Sequence, residues 1–177
     1  YGIVRLINFA HGDIIMVGSY AILLILGMDA PLWVAILGSI VFCAVAGVVI
    51  ERVAYHRLLT HGSPRIALLI TAIGVSLFLQ TLYPLIFGSN AKSMPKMFVL
   101  PEVSVGGVPV ATTLLNIFVA VAMMVILELL VNKTKIGKAM RATSEDPGAA
   151  MLMGIDTNKA ILFTFAVGSA LAAVGAV

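Results

Sequence analysis

Few residues in this chain could do chemistry, and their spacing narrows the choice. His11, His56 and His61 offer no paired metal spacing; the last two are five apart and read as loop residues. Cys43 stands alone inside an apolar run, so it forms no internal disulfide and reads as a small core residue. No Gly-rich loop ending in Lys-Ser/Thr occurs, so the chain does not bind ATP by that motif, and no catalytic constellation emerges. What remains is polar groups among apolar neighbours. Asn8, His11, Gly12 and Asp13 lie at the start of the first apolar run; Thr71, Gly74, Gln80 and Thr81 lie in the third. Polar groups in hydrocarbon are costly and face a cavity or another helix.

The elements that must position them are membrane helices. The chain of 177 residues is 61% hydrophobic and 11% charged, with a mean hydropathy of +1.12. A soluble domain has about 45–50% apolar and about 25% charged residues. The excess is Leu, Ile, Val, Ala and Met without period-two alternation, which favours helical spans over a barrel. The expected fold class is all-α, a polytopic helical bundle of about five spans with short helices on its cytoplasmic side. The runs are 14–28, 32–50, 66–87, 112–131 and 160–177. The first is short for a bilayer, which needs about 20 residues, so its helix is expected to begin near Leu6. Pro31 and Pro64 suit helix starts.

Orientation follows from Lys and Arg in alternate loops. One side holds nine of the eleven: Arg5, Arg52, Arg57, Arg65, Lys133, Lys135, Lys138, Arg141 and Lys159. The other holds Lys92 and Lys96. The basic side is therefore cytoplasmic. The net charge of +3 is accounted for by this asymmetry and does not imply nucleic-acid binding. Glu51, Arg52 and Arg57 follow a span end and read as interfacial anchors. Residues 88–111 form an outer loop, in which VSVGGVPV suggests a small β-hairpin about Gly106 and Gly107.

The region 133–159 is a polar island between two apolar runs. Thr134 can cap a short helix over 135–142, with Ser144 to Asp146 breaking it. Asp146 before Pro147 is a second start signal, an N-cap acceptor followed by a residue that needs no N–H donor. Gly154 supplies a left-handed stop, and Asp156 or Thr157 can cap the next span. The second short helix is small and apolar, so it must bury itself in a partner's groove or against the chain's own spans.

At helical spacing Asn8, His11, Gly12, Gly18 and Ser19 share one side. Two readings stand for this set: a pathway lining, or polar groups at headgroup depth with small residues for packing. Gln80 needs a partner in lipid, either another helix or a transported solute.

A resemblance joins these segments. YGIVRLINFAHGDIIMVGSY, ALLITAIGVSLFLQ and IGKAMRATSEDPGAAMLMGID, in this order, are similar to segments of branched-chain amino acid ABC permeases. GAAMLMG resembles the EAA-x3-G loop of ABC importers: Ala149, Ala150 and Gly154 match, Gly148 stands at the Glu position, and the downstream Ile-x-Leu-Pro is missing. The resemblance implies a multi-pass subunit of a bacterial cytoplasmic membrane that is no enzyme itself. It binds no cofactor, and ATP is bound by a partner subunit. Arg141, Pro147, Gly148, Ala149, Ala150 and Gly154 would couple to that cytoplasmic ATPase. A second, homologous permease subunit in a heterodimer and an extracytoplasmic substrate-binding protein complete the implied assembly. Asn8, Phe9, His11, Gly12, Thr71, Gly74 and Gln80 would line the translocation pathway. The cargo implied is leucine, isoleucine or valine; urea, short-chain amides, or a non-transporting scaffold are the alternatives. With no charged pair evident inside the spans, a low-affinity conduit is expected. The chain opens within a motif and stops within an apolar run, so it reads as one permease domain, 1–177, internal to a longer protein.

Overall fold

The computed structural model describes residues 11–60, 63–88, 90, 104–105 and 108–177. Eight α-helices are seen among these residues. α1 is His11–Leu26, α2 Leu32–Ile50, α3 His56–Thr60 and α4 Arg65–Phe87. α5 is Val110–Lys133, α6 Lys135–Glu145, α7 Pro147–Leu152 and α8 Thr157–Val174. A two-stranded antiparallel hairpin, β1 Ser104–Val105 and β2 Val108–Pro109, precedes α5, with Val105 paired to Val108. The hairpin read in VSVGGVPV is therefore present. Pro31 and Pro64 sit immediately before α2 and α4, in extended conformation at φ −65° and −60°.

Among the described residues, four helices are long and apolar enough to cross a membrane: Leu32–Leu59, Ile66–Phe87, Thr112–Lys133 and Thr157–Val174, with His11–Leu26 a shorter apolar helix. The protein is a multi-pass helical membrane protein. The second span overruns its apolar run. Beyond Ile50 the chain continues through a π-helical turn, Glu51–Tyr55, into α3. This corrects the reading of Glu51 as an interfacial anchor, because its side chain is 2% exposed. His56 lies in a helix and not in a loop, with its Nδ1 3.6 Å from Glu51 Oε1, while Arg52 Nε is 4.0 Å from Oε2. The turn packs against α4 and α8, where Tyr55, Leu68 and Ala72 cluster and the Tyr55 ring lies 5.1 Å from that of Phe165.

The core is formed by α1, α2 and α8, with Leu79 of α4 joining the cluster. Lipid removes the hydrophobic drive between helices, so close packing of small residues takes its place. Gly47 shows this most sharply. A Cβ there would lie 2.8 Å from the backbone oxygen of Phe165 and collide with the Ser169 side chain. Ser169, Ala172 and Ala173 bury the facing side of α8. Hydroxyls inside the spans return their protons to the preceding turn: Ser19 to Ile15 O at 3.2 Å, Ser39 to Ile36 O at 3.0 Å and Thr164 to Ala160 O at 2.7 Å. By contrast α5 packs on α6 and contributes no buried residue along its apolar window.

Gly47→Ala should lower thermal stability in detergent by about 1–3 kcal/mol, the usual cost of overpacking. Gly74→Ala is the matched control, since a Cβ there meets nothing within 4 Å. It should be neutral or stabilise by up to about 1 kcal/mol. Equal melting shifts for the two variants would contradict the close α2–α8 packing.

Candidate functional site

Two constructions stand out: a polar joint between α1 and α4, and the folded loop between α5 and α8. The joint is built from Asp13, Ser76 and Gln80. Gln80 Nε2 donates to Asp13 Oδ1 at 2.9 Å and to Ser76 Oγ at 3.1 Å, and Ser76 Oγ donates to Asp13 Oδ2. Ser76 and Gln80 are one helical turn apart on α4, so both face the same carboxylate. Asp13 is 8% exposed, whereas Gln80 is exposed.

The depth of this joint follows from α4. Ser76 lies about 16 Å along a helix roughly 34 Å long, at about 1.5 Å per residue. That is the middle of a hydrocarbon layer about 30 Å thick. The aromatic contacts fix the same register toward the outer end of α4. The Tyr20 ring lies 5.1 Å from that of Tyr83 and 5.0 Å from that of Phe87. Asp13 thus lies level with the middle of the α4 span.

The other proposed pathway residues divide. Asn8 and Phe9 lie outside the described residues. His11 and Gly12 are exposed at the start of α1. Thr71 donates to its own helix, to Ala67 O at 2.9 Å, and Gly74 is exposed with open space about its Cα. Of the described residues in that list, only Gln80 enters the joint. Asp13 and Ser76 complete it and were not singled out as site residues. The signal was available in Gln80, which demanded a partner, but that partner lies 67 residues away in sequence.

The loop between α5 and α8 is held by local hydrogen bonds. Thr134 Oγ1 accepts from Gly137 N at 2.9 Å and donates to Leu130 O at 2.5 Å, closing α5 and opening α6 together. α6 runs to Glu145, three residues past the expected end, because Ser144 turns its hydroxyl back to Arg141 O at 2.7 Å and does not break the helix. Arg141 Nη1 donates to Asn132 Oδ1 at 2.9 Å, so its guanidinium braces α6 against the end of α5.

Asp146 Oδ1 accepts from Gly148 N at 2.8 Å and Ala149 N at 3.0 Å, with Pro147 at the first helical position. α7 closes with Gly154 N on Met151 O and Ile155 N on Ala150 O, both at 3.0 Å. This is the Schellman arrangement, and Gly154 adopts the left-handed φ of +79° that it requires.

α7 contacts α6 and α8. Ala150 is 4% exposed, so it packs at home. Met151, Leu152 and Met153 are 59%, 90% and 82% exposed. The apolar stub therefore has one residue buried against its own bundle and three left uncovered. Gly148 and Ala149 are exposed, as is Pro147.

The whole chain, residues 1–177, matches the family described as branched-chain amino acid transport system / permease component. The chain belongs to this permease family. It is 40% identical to the high-affinity branched-chain amino acid transport system permease protein BraD of Pseudomonas aeruginosa, over 100% of this chain and 62% of that protein. Similarity to LivH of Escherichia coli K12, carrying the same description, is 36% over 100% of this chain and 61% of LivH. A probable branched-chain amino acid transport permease protein LivH of Methanocaldococcus jannaschii is 32% identical over 94% of this chain and 54% of its own length. This permease chain thus spans about three-fifths of the BraD and LivH lengths. No solved structure matches it.

Two predictions concern the loop of this permease. Asp146→Ala removes the acceptor for two N–H groups and should cost about 1 kcal/mol, read as faster amide exchange at Gly148 and Ala149. Asp156 caps α8, and its carboxyl is held below its ordinary value of 3.8, chiefly by the Lys159 backbone N–H and then by the Lys159 ammonium. A lowered folded value means that the cap stabilises fully above the ordinary carboxylate range. Its contribution disappears as pH falls through the lowered value. Protection of the Lys159 amide, corrected for intrinsic exchange, should therefore hold at pH 5 and fade only below 3.8; Asp156→Ala should abolish that dependence.

Proposed function

We propose that this chain forms the membrane-spanning permease part of an ATP-driven importer for leucine, isoleucine or valine in a bacterial cytoplasmic membrane. Family membership and the printed descriptions of BraD and LivH support the cargo class. The observation that carries the coupling role is α7. It is a helix fixed by a cap at one end and a Schellman turn at the other, with Leu152 and Met153 presented outside the bundle. It lies on the side with the most Lys and Arg, the cytoplasmic side by charge asymmetry. An apolar knob on a rigid stub suits a groove in an ATP-hydrolysing subunit.

In this reading the loop divides its labour. Pro147, Gly148 and Ala149 form the exposed first turn of α7. Ala150 anchors α7 to the bundle, Gly154 sets the direction in which the chain leaves, and Arg141 holds α6 in place. ATP is bound and hydrolysed by the partner, and movement of α7 passes into α8. A second permease subunit and an extracytoplasmic binding protein complete the assembly, with the 88–111 loop on the outer side. Urea or short-chain amides are the competing cargo.

Leu152→Asp should abolish ATPase-coupled uptake while leaving the stability of the permease within about 0.5 kcal/mol of unchanged, since the residue is a surface one. Ala150→Glu would place a charge in home packing and is the less discriminating variant. Uptake of labelled leucine against labelled urea, in cells dependent on the intact transport operon, tests the cargo. Urea uptake without leucine uptake would refute the branched-chain assignment.

A further inference from the structure

We propose that the Asp13 carboxylate is a counter-charge on the translocation pathway that receives the α-ammonium of the amino acid in transit. This inference rests on the permease reading and names the group that would touch the cargo. It starts from an imbalance. Asp13 accepts hydrogen bonds from Ser76 and Gln80, both neutral, at mid-span. Among the described residues no cation lies within ion-pair distance of it. A carboxylate has about four acceptor positions, and these neighbours take one on each oxygen. They orient the group without neutralising it. An unpaired charge in low dielectric costs several kcal/mol, and an amide would tie α1 to α4 equally well without that cost.

The joint also opens outward. Gln80, one side of the hydrogen-bonded ring, is exposed. A side-chain amide at mid-span does not face acyl chains, so Gln80 borders an aqueous path or another subunit. A zwitterion with an apolar side chain brings one ammonium, which balances one carboxylate. A single ion contact backed by neutral donors holds such a cargo briefly, in keeping with a low-affinity conduit.

The test uses the complete transporter, permease subunits with ATPase and binding protein, reconstituted in liposomes and supplied with labelled leucine. Asp13→Asn keeps an acceptor for Ser76 and Gln80 but removes the charge. It should assemble, as read by co-purification of all subunits, and its uptake at limiting leucine should fall about ten- to a hundredfold. Asp13→Glu should recover part of the loss. Uptake by Asp13→Asn equal to wild type overturns the proposal and leaves Asp13 a helix-joining residue.

If Asp13→Asn does not assemble, the double variant Ser76→Ala, Gln80→Leu decides, because it removes the joining hydrogen bonds and keeps the charge. Assembly with measurable leucine uptake supports the charge as the functional part; failure to assemble assigns the cluster to helix joining and overturns the proposal. A wild-type complex that moves no branched-chain amino acid overturns the cargo reading as well, and so is distinguished from a defect confined to Asp13.

Discussion

A hydrocarbon solvent offers no hydrogen bond to any group placed in it, and every other feature of this chain answers to that constraint. Backbone groups are satisfied within helices. Span hydroxyls turn back to carbonyls three or four residues earlier. Helices that would gain nothing from excluding water from one another meet through glycine, alanine and serine instead. Where a charge is placed at mid-span, two side chains from a second helix reach over to it. The Asp13 joint is the same rule applied to the most demanding group available.

Most of the local architecture was legible in the sequence because its causes are local. Thr134, Asp146 and Gly154 each act on backbone groups within a turn of themselves, and each does what its type and position imply. Apart from the second, which runs on through its charged end, the spans lie where apolar runs bounded by proline or charge place them. The failures have a common cause too. Glu51 looks like an interfacial charge because its burial is imposed by α4 and α8, which arrive from elsewhere in the chain. The π-helical turn that carries it leaves no sign in residue type. Asp13 was noticed as polar but without its partners, since these depend on how α1 registers against α4. The ring contacts of Tyr20 set that register, and spacing along one helix cannot. Ala150 and Leu152 are both apolar and two residues apart. Which of them faces home depends on the angle at which α7 meets α6 and α8.

The loop between α5 and α8 is built unlike a linker. Thr134 serves two helices with one hydroxyl, and Gly137 lets α6 lie against the last carbonyls of α5, where a Cβ would be 2.6 Å from the Val131 carbonyl carbon. The Arg141–Asn132 bond closes the same corner from the other side. Together these contacts make a short folded platform from which α7 projects. Charge does little of this work; geometry at helix ends does nearly all of it.

The contact of α2 with α8 at Gly47 has a mechanical consequence. Where side chains separate two helices, rotamer changes absorb small displacements like a rubber bushing. Here the backbone of one helix rests almost directly on that of the other, with no side chain at Gly47 to yield. A push arriving at the start of α8 is therefore handed to α2 with little backlash, and α2 carries it along a continuous helix of 28 residues. Farther along that rod, at Glu51–Tyr55, the hydrogen-bond ladder widens into a π-helical turn.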